Sequence, residues 1–220
     1  MKKSKTLSIY MIIMMIIFII TFSVSIPILF RPFYYFHIDI LDLTNKTGLD
    51  YQTIKNAYDE MMNFCLGLTN TFSTGTLKYS TEGMSHFIDV KNLFILNLTL
   101  LLFSTLNIII IPRFLKKRNI IPYRFNGHKN SYYAATILLI IFIIIVLFTL
   151  PNFSRTFTIF HQIFFPGKTN WLFDPRYDEI IVILPEIFFM NCAILIVSII
   201  IFICLFLIIK NKKDSLNIKW

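Results

Sequence analysis

Residues Ile187 to Ile209 read IFFMNCAILIVSIIIFICLFLII, a run without a single Asp, Glu, Lys, Arg or His. About 17–25 predominantly apolar residues are enough to carry a helix across ~30 Å of hydrocarbon. Three further runs have the same character: Leu7 to Phe30, Leu93 to Leu115 and Tyr132 to Leu150. None alternates with period two, and in lipid only helices or closed barrels satisfy their own backbone. The expected fold is therefore an all-α polytopic membrane protein, residues 1–220 forming a single membrane domain with four transmembrane helices, 7–30, 93–115, 132–150 and 187–209.

The rest of the composition follows from these runs. Hydrophobic residues make up 56% of the 220 and charged residues only 15%, against about 25% charged in a soluble domain. The net charge of +9 would suit nucleic acid, but its distribution points elsewhere. With the N-terminus placed in the cytoplasm, residues 1–6, 113–131 and 210–220 hold 13 Lys/Arg and one acidic residue, Asp214. Residues 31–92 and 151–186 then hold 8 Lys/Arg and 11 Asp/Glu. Basic residues retained in the cytoplasm set orientation in this way, so the charge predicts an N-in, C-in protein in the cell membrane, with cytoplasmic segments 1–6, 116–131 and 210–220. It is not a nucleic-acid signal, and contact with membrane lipid is the natural secondary role. Met1-Lys2-Lys3-Ser4-Lys5 ahead of an apolar run also has the form of a signal peptide, and Ser23-Val24-Ser25 offers small residues for cleavage. The run exceeds the usual 7–15-residue core of such a peptide, so an uncleaved first helix is expected.

The two extracytoplasmic segments, 31–92 and 151–186, are expected to form a cap of short helices with a possible small strand. Ile38-Asp39-Ile40 alternates as a strand would. Asp50 is placed to cap a helix that presents Tyr51, Ile54, Tyr58, Met61, Met62 and Cys65 at helical spacing and ends at Gly67. Phe72 to Tyr79 reads as a polar loop, after which Ser80 to Lys91 leads directly into the second membrane helix. Phe157, Phe160, His161 and Phe164 share one helical face, stopped by Pro166-Gly167. Asn97, Asn107 and Asn191 are the main polar intrusions in the membrane runs, and interhelical hydrogen bonds account for them. A transporter normally keeps ionisable groups there, so chemistry is expected at the outer interface.

Imidazoles titrate near neutrality and suit proton transfer. Of the four histidines, His128 falls in a basic loop and His37 in an aromatic segment, where both read as structural. His86 and His161 lie in the two outer segments. Asp89 stands three residues after His86, on the same helical face, where a carboxylate is able to orient the ring. There is no HExxH, no three-ligand zinc cluster, no GxSxG elbow and no phosphate-binding glycine loop. Three cysteines, Cys65, Cys192 and Cys204, form no CxxC pair. No metal or cofactor is expected, and a nucleophile would have to come from the substrate. A non-enzymatic accessory protein, a small transporter and a bis-imidazole haem site remain the alternatives at this level.

The chain resembles the lipoprotein intramolecular transacylases (Lit), small four-helix membrane proteins of low-GC Gram-positive bacteria. The resemblance rests on three places. Tyr34-Tyr35 and the Ile/Leu/Asp segment after them stand just beyond the first helix. Glu82, His86, Asp89, Val90 and Lys91 are similar to the family's Glu-x-x-x-His-hydrophobic-x-Asp-Val-Lys element, with Phe87 in a slot where many members carry Met. Phe160-His161-x-x-Phe164-Phe165, then Asn170-Trp171-x-x-Asp174 and Asp178, look like its second histidine element.

The resemblance implies a reaction. The partner is a lipoprotein whose N-terminal cysteine carries an S-diacylglyceryl group and a free α-amine. Its sn-2 acyl chain moves to that amine, giving an N-acyl, S-monoacylglyceryl (lyso) lipoprotein. The family's functional histidines match His86 and His161, with Glu82, Asp89, Lys91, Tyr34, Tyr35, Trp171, Asp174 and Asp178 in support. Tyr34, Tyr35, Lys91 or backbone amides are then candidates to stabilise the oxyanion. The substrate's own amine as nucleophile agrees with the missing Ser or Cys.

Overall fold

The structure is a computed structural model that describes residues 1–149 and 151–216. Leu150, the end of the third expected span, and residues 217–220 of the expected cytoplasmic tail lie outside the described residues. In chain order the elements are β1 (Lys2–Ser4), α1 (Lys5–Leu29), α2 (Pro32–Ile40), α3 (Leu43–Thr47), α4 (Tyr51–Cys65), α5 (Thr81–Lys117), β2 (Ile120–Pro122), a 3-10 turn (Phe125–Gly127), α6 (Asn130–Thr149), α7 (Phe153–Phe164), α8 (Ile180–Ile183) and α9 (Glu186–Leu216). Helices α1, α5, α6 and α9 are long and apolar enough to cross a membrane. Their exposed surface carries residues such as Leu102, Leu147 and Phe202, an exterior suited to hydrocarbon rather than water.

The chain divides into two compact units. One comprises residues 1–25, 97–148 and 195–220. Its core is Ile19 of α1, Ala135 and Leu138 of α6, and Ile200 and Cys204 of α9. The two alanines of α6, Ala134 and Ala135, are fully buried, and small residues of this kind let membrane helices approach closely. The asparagines act as interhelical donors and acceptors. Asn97 Nδ2 donates to Ser25 Oγ at 2.8 Å, and Tyr10 donates to Asn107 Oδ1. Here β1 and β2 pair in parallel, Lys2 opposite Ile120 and Ser4 opposite Pro122. The strand element thus joins the N-terminus to the 116–131 loop rather than belonging to the cap. Ser8 Oγ donates to Tyr123 O at 2.7 Å and ties down the same loop. His128 accepts from Asn211 Nδ2 at 2.6 Å and stacks on Tyr132, a structural role.

The other unit comprises residues 26–96 and 149–194. The segment 38–40 is helical, not extended: Pro32 opens α2 at its first turn, where its missing N–H costs nothing, and Ile38 and Tyr34 point inward together at helical spacing. Tyr34 is buried, stacks on Tyr58 of α4 at 3.7 Å, and donates to Ile183 O of α8 at 2.8 Å. Asp50 caps α4 by accepting from Thr53 N at 3.0 Å. The loop 72–80 is pinned at both ends. Glu60 accepts from Ser73 Oγ and Gly75 N, while Lys78 N donates to Glu179 Oε2 at 2.9 Å and Lys78 O accepts from Glu179 N at 3.0 Å.

Helix α5, with 37 residues, is about 55 Å long at ~1.5 Å per residue. That is far more than ~30 Å of hydrocarbon requires. The surplus is its polar first three turns, Thr81 to Asn92, which stand outside the apolar run and carry Glu82, His86, Asp89 and Lys91.

Candidate active site

The N-terminal end of α5 is set by a buried carboxylate. Asp178, 5% exposed, accepts from Ser80 N at 2.8 Å and Ser80 Oγ at 3.0 Å. Ser80 Oγ in turn accepts from Gly83 N at 2.9 Å, capping the helix. Gly83 has to be glycine, because a Cβ there would lie 2.1 Å from Asp178 Oδ1. With its start fixed, α5 presents Glu82, Ser85, His86 and Asp89 along one side.

The second imidazole comes from α7. Asn152 caps that helix by accepting from Arg155 N at 2.9 Å, and Pro166-Gly167, the glycine at φ +73°, ends it. Phe157 and His161 then face the interior one turn apart, while Ile159, Phe160, Ile163 and Phe164 are exposed.

His86 and His161 come together, ring centroids 5.8 Å apart and planes 31° apart. Both are nearly buried, at 5% and 7% exposure. Phe165 and Phe173 set their edges against His86, and Trp171 stacks on His161 at 4.7 Å. His161 Nδ1 lies 2.7 Å from Phe157 O. A carbonyl only accepts, so Nδ1 carries the proton and Nε2 of the neutral ring keeps its lone pair. No hydrogen bond engages that Nε2 among the described residues. His37 makes a useful contrast: its Nδ1 donates to Phe33 O at 2.6 Å in the same way, but its Nε2 accepts from Asn191 at 3.0 Å, so the ring is fully occupied. His86 Nδ1 is buried without a partner among the described residues.

Burial, and then the neighbouring His161, lower the His86 imidazole to about 4. Burial lowers His161 as well. Both rings are therefore neutral at neutral pH. Cys65 is buried in α4 and its thiol is pushed up to about 12, which makes it unreactive.

The supporting residues are placed as follows. Asp89 does not bond His86. Its carboxylate accepts from Lys168 Nζ at 2.5 Å and from Asn170 Nδ2 at 3.0 Å. Burial works to raise the Asp89 carboxyl, but these two hydrogen bonds outweigh it and hold the group below its ordinary value. The Tyr34 hydroxyl is committed to Ile183 O, and that of Tyr35 to Asp59 at 2.6 Å. Lys91 reaches Thr69 O and covers the Phe64 ring. None of these three side chains is joined to the imidazole pair. Asp174 pairs with Arg176 at the surface, and Glu82 is exposed. Sequence reasoning missed Lys168. It reaches the site through a contact with Asp89, 79 residues away, which no local pattern encodes.

A membrane-integral helical protein with two neutral imidazoles boxed by aromatic rings is the class that fold and site define. The sequence profile described as "Lipoprotein intramolecular transacylase Lit" matches residues 9–189. The lipoprotein intramolecular transacylase Lit from Bacillus cereus, a membrane-integral protein solved in meso, superposes with a TM-score of 0.83 at 25% identity, covering 96% of this chain and 95% of that one. Two variants of that protein with a histidine replaced, one by arginine and one by alanine, superpose with TM-scores of 0.74 and 0.75, also at 25% identity. They cover 96% and 94% of this chain, and 94% and 93% of theirs. No curated protein matches significantly. The chain belongs to the lipoprotein intramolecular transacylase (Lit) family, and it is accordingly a membrane-integral transferase.

Proposed function

We propose that the protein transfers the sn-2 acyl chain of an S-diacylglyceryl-cysteine lipoprotein to the α-amine of the same molecule, with His86 and His161 moving the protons. The observation that carries this reading is the imidazole pair: two neutral rings in contact, one with its tautomer fixed so that a basic nitrogen is left open.

In the proposed reaction the α-amine attacks the ester carbonyl, forming the C–N bond. His161 Nε2 takes the amine proton. The tetrahedral oxyanion collapses, the C–O bond to glycerol breaks, and the departing oxygen takes a proton. That proton is the one His161 took from the amine: the imidazolium passes it through His86 to the oxygen, so both rings end neutral, and burial, which disfavours the cationic form of His86, favours its release. Phe157 holds His161 from behind through its carbonyl, and Trp171 fixes the ring plane. Amine and ester sit on one substrate, so positioning supplies much of the acceleration; effective molarities of roughly 10⁵–10⁸ M are known for well-oriented pairs. The exposed apolar side of α7 suits the acyl-chain level of the membrane, and the charge bias in the loops supports an extracytoplasmic site.

The test uses purified protein with a synthetic diacylated lipopeptide and no other acyl donor. Intact mass stays constant, because substrate and product are isomers. The N-terminal cysteine becomes unreactive to amine reagents, and fragment ions place one acyl chain on nitrogen and one on glycerol. A heavier, triacylated product, or a lipopeptide left amine-reactive by folded protein, overturns the reading.

A further inference from the structure

Beside the imidazole pair lies a cavity of about 430 Å³ with a different chemistry, within the roughly 300–1,000 Å³ typical of ligand sites. The imidazoles are boxed by Phe165, Phe173 and Trp171. The cavity is lined instead by Glu82, Ser85, Lys168, Asn170 and Asp178, among others. Its lining includes the chain neighbours of the site: Ser85 precedes His86 on α5, and Asn170 precedes Trp171, the ring stacked on His161. Asn170 spends its amide hydrogens on Ser85 Oγ and Asp89 Oδ2. Its Oδ1 is buried without a hydrogen-bond partner among the described residues, and an orphaned acceptor of this kind is rare in native proteins.

We propose that this cavity is the polypeptide subsite. It receives the main chain of the residues that follow the lipidated cysteine, with Asn170 Oδ1 accepting from a peptide N–H and Ser85 serving a peptide carbonyl. The proposal rests on the transacylase reading above. The substrate has two chemically different arms: acyl chains on glycerol, and a polypeptide leaving from the cysteine carboxyl. Only the second presents a repeating set of donors and acceptors that must be satisfied when desolvated. An anionic lipid head group is the poorer occupant. Glu82 and Asp178 both line the cavity, and the single cation there, Lys168, is already paired with Asp89.

The experiment compares two synthetic substrates on the full-length protein. One is an S-diacylglyceryl-cysteine ending in a carboxamide, and the other carries three further residues. Wild type is expected to favour the longer substrate by about tenfold in kcat/KM, the worth of a lost buried polar contact, with the effect in KM. Ser85→Leu, which fills the cavity, and Thr169→Trp, which obstructs its exposed lip, are each expected to bring that ratio close to one. The ratio is read within each sample, so it does not depend on how much of a variant folds. Equal use of both substrates by wild type overturns the subsite while leaving transacylation in place. A ratio unchanged in both variants does the same, as does competitive inhibition by glycerol phosphate that matches the tripeptide extension. Failure of wild type to convert either substrate overturns the transacylase reading itself.

Discussion

Asp89 on α5 and Lys168 in the loop after α7 form a latch, Nζ to Oδ1 at 2.5 Å, and Asn170 Nδ2 closes it from the other oxygen at 3.0 Å. The latch draws the 165–173 loop against α5, so that Trp171 covers His161 and Phe173 meets His86. Half-exposed ion pairs contribute little to stability, about 0–1 kcal/mol. Asp89→Ala is therefore expected to change Tm only slightly while lowering kcat by about ten- to a hundredfold, the scale of a small misplacement of reacting groups. In a Trp220→Phe background the emission of Trp171 should shift to the red as its stack on His161 loosens. A variant with normal kcat and unshifted emission removes the positioning role.

His86→Ala and His161→Ala should each lower turnover by about 10²–10⁴-fold without preventing insertion in the membrane. Cys65→Ala should leave the rate unchanged, because its buried thiol lies too high to ionise. Both are checked by single-turnover conversion of the diacyl lipopeptide.

The pH profile follows from the direction of the shifts. The substrate amine must be neutral, and its ordinary value is about 7.7–8.0. The rate should rise with unit slope from about pH 6.5 to pH 7.5. Imidazole protonation should steepen the slope only on the acid side of that range, for His86 near pH 4, because burial lowers both rings. The same shift affects stability. Between about pH 6.5 and pH 4 the unfolded chain binds the His86 proton and the folded chain does not, so this contribution is complete above the upper value and is lost on acidification. Thermal unfolding in detergent should show a Tm that falls over this window, and less steeply in His86→Gln.

Gly83→Ala should destabilise by roughly 1–3 kcal/mol, as overpacking against a fixed neighbour does, because its Cβ meets Asp178 Oδ1 at 2.1 Å. The double variant Gly83→Ala/Asp178→Ala should be less destabilised than the two single changes predict together. Strict additivity in a Tm-based cycle would show that the clash is not the cause.

For topology, cysteine introduced at Thr76 in a background lacking Cys65, Cys192 and Cys204 should react with a membrane-impermeant maleimide on intact cells. Cysteine at Arg118 should react only after permeabilisation. Labelling of the Arg118 position from outside would reverse the proposed orientation.

The four long helices were legible in the sequence because hydrocarbon imposes a local rule: about twenty apolar residues in succession, with polar intrusions explained one at a time. The caps at Asp50 and the stop at Pro166-Gly167 were legible for the same reason, since they depend on neighbours within a turn. The pairing of His86 with His161 was suggested only by resemblance, and their separation was not encoded at all. The alternation at 38–40 misled because a three-residue pattern is outweighed by what Tyr34 and Ile38 bury along a helix. Asp89 was expected to orient His86 from the same helical face. Its carboxylate is better satisfied by Lys168 and Asn170, which arrive from a segment about eighty positions away. Tyr34, Tyr35 and Lys91 were candidates to stabilise the oxyanion, yet their polar atoms are spent on Ile183, Asp59 and Thr69. Sequence by itself determined what the solvent dictates: which segments enter lipid, and which polar groups are left outside it. Only the tertiary structure decided which of those polar groups meet, because hydrogen bonds and ring contacts depend on distances that chain order does not set.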